Sequence, residues 1–285
     1  MMPFFMAIAS SMFYGVADFM GGMSTRRAHV FTVTEWFQLT GVALLVGYAL
    51  LVPGETRIAD LAWAAGSGIA GGLGVTLLYH VLATGTVSTA APLVSMIALT
   101  VPVIVGFVAG ERLGVLALAG IVLGALAVWL VSGDASHGDG DHKSSVRSPL
   151  RSLGLAVLSG ALIGGFLVLL SHVQPGSSGW PLVAGRASAT VCLWTLVLIG
   201  RAPIVLARPA IAPMLGAAVT DVAGNVLYLL AVQRAPLSLT ATLVSLAPAT
   251  TVLLAQVVLR EQLSARQRVG VALALVAVFL LSRGH

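Results

Sequence analysis

Apolar residues in this chain neither alternate nor recur on a single helical face. They run on in long blocks separated by short connections that hold most of the Pro and charged residues. A helix needs roughly 20 predominantly apolar residues to cross a bilayer, and the blocks have that length. Ten are readable, at about 4–22, 31–52, 58–83, 87–109, 114–132, 151–172, 180–200, 210–232, 237–259 and 266–282. The pattern predicts an all-α integral membrane protein with ten transmembrane helices.

One stretch breaks the rhythm. Residues 134–150 are polar and of low complexity, and they separate the first five blocks from the second five. The chain therefore divides into residues 1–133, a solvated linker at 134–150, and residues 151–285. The two halves are related in sequence. Ser88, Ser95, Glu111, Leu113, Gly120 and Ser132 recur 150 positions later as Ser238, Ser245, Glu261, Leu263, Gly270 and Ser282. A unit of five spans crosses the membrane an odd number of times, so its second copy enters from the opposite side. Two inverted five-helix repeats follow, an arrangement in which substrate sites lie at the repeat interface near the bilayer midplane. The small-xxx-small pairs Gly68/Gly72, Gly120/Gly124 and Gly160/Gly164 predict close helix crossings.

Composition agrees with the pattern. Hydrophobic residues make up 58% of the chain and charged residues 9%, against about 25% charged in a soluble domain. The net charge of +5 does not indicate nucleic acid, because no basic stripe with interleaved aromatics exists. Cys192 is the only cysteine, which excludes an internal disulfide or thiolate metal cluster. No Lys or Arg precedes the first apolar block, so it reads as a retained helix rather than a signal peptide. No metal or cofactor is expected: the acidic and histidine residues Asp134, His137, Asp139, Asp141 and His142 lie in the flexible linker without fixed ligand spacing. The expected partners are a small-molecule substrate, membrane lipid and protons as a coupling ion, in a monomer or homodimer of the cell membrane.

The connections after odd-numbered helices hold ten Lys and Arg residues, and the even-numbered connections with the C-terminal tail hold four. By the positive-inside rule this bias places the termini outside.

Gly110-Glu111-Arg112-Leu113 at the end of the fourth block resembles the Gly-Glu-Arg-Leu signature of EamA-type domains in the drug/metabolite transporter superfamily. Arg260-Glu261-Gln262-Leu263 is a weaker copy, and Ser245-Leu246-Ala247-Pro248 matches the family's proline in the same repeat. In the first half Ala98 replaces that proline, with Pro102 one turn later. Tyr14-Gly15-Val16-Ala17-Asp18-Phe19 is similar to the family's first-helix opening, and Arg186 to the arginine often found early in a repeat's second helix. The resemblance implies a carrier of amino acids, sugars, nucleotide precursors or drugs, operating as an exchanger or proton-coupled transporter. It also implies cytoplasmic termini, opposite to the charge bias.

The residues themselves offer several candidates. Asp221 lies near the centre of the eighth helix, with Asn225 and Tyr228 beyond it near one face. A carboxylate at membrane depth costs about 3 kcal/mol or more unless it is paired, protonated or facing water, so Asp221 is a substrate or proton site or a hydrogen-bonded structural group. Asp18, a turn from the end of the first helix, is either a cation or proton site or a solvated residue. Glu35 and Arg186 fall early in helices two and seven, where they form a gate, an anchor for a substrate carboxylate, or independent interfacial charges. Ser88, Pro92 and Ser95 match Ser238, Thr242 and Ser245, one polar stripe per helix at i, i+4, i+7. These line a cavity or bond back to their own helices. Glu111 and Glu261 read as folding and topology features, and His80 and His172 as proton-responsive or packing residues.

The chain has no His-Glu-x-x-His helix, Gly-Lys phosphate loop or nucleophile elbow. An intramembrane enzyme is therefore disfavoured, lipid translocation is the alternative, and a secondary carrier fits best.

Overall fold

A computed structural model describes residues 2–84, 87–132, 149–200, 206–260 and 262–283, with the backbone alone at 30, 79–84, 87–92, 149–152, 196, 197, 199 and 200. The acidic and histidine residues of the linker, Glu261, and the side chains of His80, Ser88 and Pro92 lie outside this description. The helices are α1 (Met2–Thr25), α2 (Val30–Leu51), α3 (Ile58–Thr84), α4 (Val87–Val108), α5 (Val115–Ser132), α6 (Pro149–Ser171), α7 (Trp180–Gly200), α8 (Arg208–Val232), α9 (Leu237–Val244), α10 (Ala247–Leu259) and α11 (Ala265–Arg283). Continuous helix is the expected outcome, because lipid offers no partner to a free backbone N–H or C=O. Eight spans among the described residues are long and apolar enough to cross a membrane.

The eleven segments make ten spans, because α9 and α10 are one span broken in two. Pro248 enters the first turn of α10. Its missing N–H ends the ladder of α9, and Ser245 and Leu246 form the joint. Pro102, inside α4, leaves that helix continuous.

The two halves are interleaved. The most extensive packing joins helices from opposite repeats: α1 with α8, α3 with α6, α3 with α7, α4 with α6, and α5 with α11. Matched contacts define the pseudo-two-fold. Ser10 Oγ donates to Gly224 O at 2.8 Å, and Ser159 Oγ donates to Gly74 O at 2.7 Å. Gly120 lies against Leu281, and Gly270 against Val131. Each of these glycines sits where a Cβ would press on the partner helix. Gly68 is the tightest, facing Gly185 O.

The turn after the fourth span also repeats. Gly110 adopts φ 91° and Arg260, 150 positions on, adopts φ 57°. Both occupy the left-handed region that ends helices, which suits Gly and strains Arg.

Candidate functional site

Arg186 and Asp221 meet in the middle of the bundle. Asp221 lies within a residue or so of the midpoint of α8, and Arg186 is in the second turn of α7. Arg186 Nη2 is 2.8 Å from Asp221 Oδ2, with side chains 11% and 17% exposed. Pairing offsets the cost of placing either charge at this depth. Asn225, one turn along α8, donates through Nδ2 to Asp221 Oδ2 at 3.0 Å and to Asp221 O at 2.9 Å. The carboxylate is thus held on its own helix.

Helix α2 closes the site from the other side. The Arg186 guanidinium stacks over the Phe37 ring, 4.6 Å from its centroid. It also fills the space beside Gly41, where any Cβ would overlap Nε. Glycine at 41 is therefore what admits the arginine. Although Nη2 is close to Asp221, neither Nε nor Nη2 makes an aligned hydrogen bond to a described residue. The charge is balanced while two N–H directions remain unused.

Helix α1 brings Tyr14, which packs on Gly224 of α8. The Tyr14 hydroxyl is buried without a hydrogen-bond partner among the described residues. It lies within electrostatic range of Asp221, Tyr228, Arg186 and Asp18. Asp18, one turn further along α1, is exposed and within range of Asp221. The constellation therefore draws on α1, α2, α7 and α8, two spans from each repeat.

Other candidates fall elsewhere. Glu35 is buried at 3% exposure on α2, and Arg186 pairs with Asp221 rather than with it. Tyr228 is fully buried, its hydroxyl donating to Leu167 O at 2.7 Å, a structural contact between α8 and α6. Thr242 bonds back to Ser238 O at 2.7 Å and its methyl faces Gly124 of α5. Ser95 Oγ lies 3.4 Å from Ser132 Oγ, and Ser245 caps α9. The i, i+4, i+7 stripes thus serve packing as far as their side chains are described. Asp221, Asn225, Asp18 and Arg186 come together. Tyr14, absent from the sequence candidates, had a signal in its place on the Tyr14–Asp18 turn.

A ten-span bundle of interleaved repeats, with an ion pair of the second repeat enclosed by α1 and α2 of the first, is the architecture of a membrane transporter. The chain belongs to the EamA-like transporter family, within the drug/metabolite transporter superfamily: the family's model matches residues 1–133 and again residues 148–283. It is a multi-pass membrane protein. One solved crystal structure, described only as that of a protein, is similar over 98% of this chain and 95% of its own, at TM-score 0.76 and 18% identity, which supports the fold alone. No curated protein matches the sequence.

Proposed function

We propose that this chain is a secondary active carrier of the cell membrane that exports or exchanges a small polar or amphipathic metabolite, such as an amino acid or drug-like compound, with protons as the coupling ion. Residues 1–133 and 151–285, joined by the linker at 134–150, rock against each other around the Arg186–Asp221 site. The chain acts as a carrier and not as a catalyst, in a monomer or homodimer.

The observation that carries this reading is the state of Arg186. Its charge is matched by Asp221, yet among the described residues Nε and Nη2 have no aligned acceptor. Donors of this kind suit a carboxylate or another planar oxyanion. Asp221 and the Tyr14 hydroxyl stand beside it to meet a cationic or hydroxylated group. Partial exposure of both charged side chains leaves the site reachable. Flux of a panel of amino acids and drug-like cations in proteoliposomes, compared between wild type and Asp221→Asn, tests the proposal. Loss of flux with folding intact supports the site.

A second reading, lipid translocation, draws on an apolar groove of about 450 Å³ between α4 and α5, lined by Met96, Leu99, Val103, Ile121, Ala125 and Trp129. Transbilayer movement of a labelled phospholipid by wild type, without flux of any panel compound, favours it.

A further inference from the structure

Two buried oxygens on α2 have no donor among the described residues. Glu35 is 3% exposed and Gln38 7% exposed, and among the described residues neither Glu35 Oε2 nor Gln38 Oε1 has a hydrogen-bond partner. They stand three residues apart, so their side chains are neighbours on one helix face, with Cβ atoms about 5–6 Å apart. A buried acceptor left without a partner loses its hydration and gains nothing in return. Two together call for a species that supplies a hydrogen.

Repeat symmetry sharpens the point. The positions matching Glu35 and Gln38 in α7, 150 residues on, are Gly185 and Ser188. There the seam with α3 is closed: Gly185 O faces Gly68, and Ser188 Oγ donates to Ala65 O at 2.8 Å. The equivalent seam between α2 and α8 carries a carboxyl and an amide in place of that close packing. Its counterparts on α8 are Leu215 and Ala218, which offer no donor side chain.

We propose that Glu35 is the proton-binding residue of this carrier, its carboxylic acid O–H donating to Gln38 Oε1 in the loaded state and losing the proton when the α2–α8 seam opens. The step moves one proton on or off one carboxylate oxygen and needs no other reactant. It rests on the carrier reading above and gives that reading a coupling residue distinct from the Arg186–Asp221 substrate site. The neutral acid resolves both oxygens at once, because its hydrogen sits on Glu35 Oε2 and is donated to Gln38 Oε1. A metal ion fits poorly: no group of three or more His, Cys, Asp or Glu residues among the described residues gathers to hold one.

The charged and titratable groups on the packed helices allow this role. On α7 they are Arg186, already paired with Asp221, and half-buried Cys192. On α8 they are Arg208, Asp221 and Tyr228, the last bonded to Leu167 O. On α1 and its following turn they are Tyr14, Asp18, Arg26 and Arg27, and α2 itself adds His29 and Tyr48. Helix α1 ends where α8 begins, since Ser24 Oγ donates to Ala210 O and Arg27 Nη1 to Pro209 O. The turn leading into α2 follows directly, so Glu35, in the second turn of α2, lies near the membrane face rimmed by Arg26, Arg27 and Arg208. A short route to bulk water follows from that position.

The test uses the full chain in lipid nanodiscs and difference infrared spectroscopy between mildly acidic and mildly alkaline buffer. The expected result is a protonated-carboxyl band that titrates, is lost in Glu35→Gln, returns with shifted frequency in Glu35→Asp, and survives in Asp18→Asn and Asp221→Asn. A band that persists in Glu35→Gln overturns the proposal, as does a wild type without one. In proteoliposomes, a panel amino acid that wild type accumulates under a pH gradient is expected to be exchanged but not accumulated by Glu35→Gln. Accumulation by that variant overturns the coupling role. Absence of any flux in wild type sinks the carrier reading instead, while the infrared band still decides whether Glu35 holds the proton.

Discussion

The carboxylate of Glu111, at the end of the first repeat's fourth span, caps the helix that starts at Leu237 in the second repeat. It accepts the N–H of Ser238 at 3.1 Å, the N–H of Leu237, and the hydroxyl of Ser238. Helix N-termini leave orphan N–H groups that favour an acceptor with negative charge. Glu111→Ala is expected to lower stability by about 1–3 kcal/mol, with Glu111→Gln losing less. Thermal denaturation in detergent checks this, and flux per folded molecule is expected to stay near wild type.

The left-handed turn offers a gain of stability. Arg260 holds φ 57°, where its counterpart Gly110 holds φ 91°. A left-handed conformation costs a side-chain-bearing residue about 1–2 kcal/mol. Arg260→Gly is expected to raise the midpoint of thermal unfolding, and Gly110→Ala to lower it. If both variants shift in the same direction, the two turns do not share one backbone strain.

Helix α3 carries an internal control for close packing. A Cβ on Gly68 would overlap Gly185 O, while one on Gly66 would meet only Leu169 at 3.8 Å. Gly66→Ala is therefore expected to fold as wild type does. Gly68→Leu is expected to reduce the yield of folded protein sharply, because backbone cannot yield as a flexible side chain can. Size-exclusion profiles of the two variants, expressed side by side, distinguish them.

The ten spans were legible because each is an unbroken apolar run, and lipid leaves such a run little choice but helix. The inverted repeat was legible for a similar reason, since five spans per copy force the inversion. The break at Ser245–Leu246 had its signal in Pro248, but Pro92 and Pro102 lie in the continuous helix α4, so proline alone did not locate it. Asp221 and Asn225 stood out as polar residues in an apolar helix. Their partner did not. Arg186 is 35 positions from Asp221 on another helix, and sequence placement set it against Glu35 instead. The structural reason lies in Gly41, whose missing side chain gives the guanidinium its place toward α8. Tyr228 read as part of the polar face because its hydroxyl is polar, yet that hydroxyl is consumed by Leu167 O.

That role for Gly41 leads to a prediction in which no charge is altered. Gly41→Ala is expected to displace the Arg186 guanidinium, weaken its contact with Asp221 and Phe37, and reduce flux at least ten-fold, equivalent to about 1.4 kcal/mol. Tyr228→Phe is the contrast: it removes one buried hydrogen bond, worth about 0.6 kcal/mol in a membrane protein, and leaves the apparent affinity for substrate unchanged. Measured KM and thermal stability of the two variants separate site geometry from packing.

The most direct measurement is flux of a panel of amino acids and drug-like cations into proteoliposomes holding wild type, Asp221→Asn, Arg186→Gln or the double variant, each verified as folded. Breaking one member of a partly buried ion pair leaves the other charge unmatched. The double variant is therefore expected to be more stable than Arg186→Gln alone, while all three variants lose transport that wild type performs. Wild-type flux retained in Asp221→Asn or in the double variant would contradict the placement of the substrate site at Arg186 and Asp221.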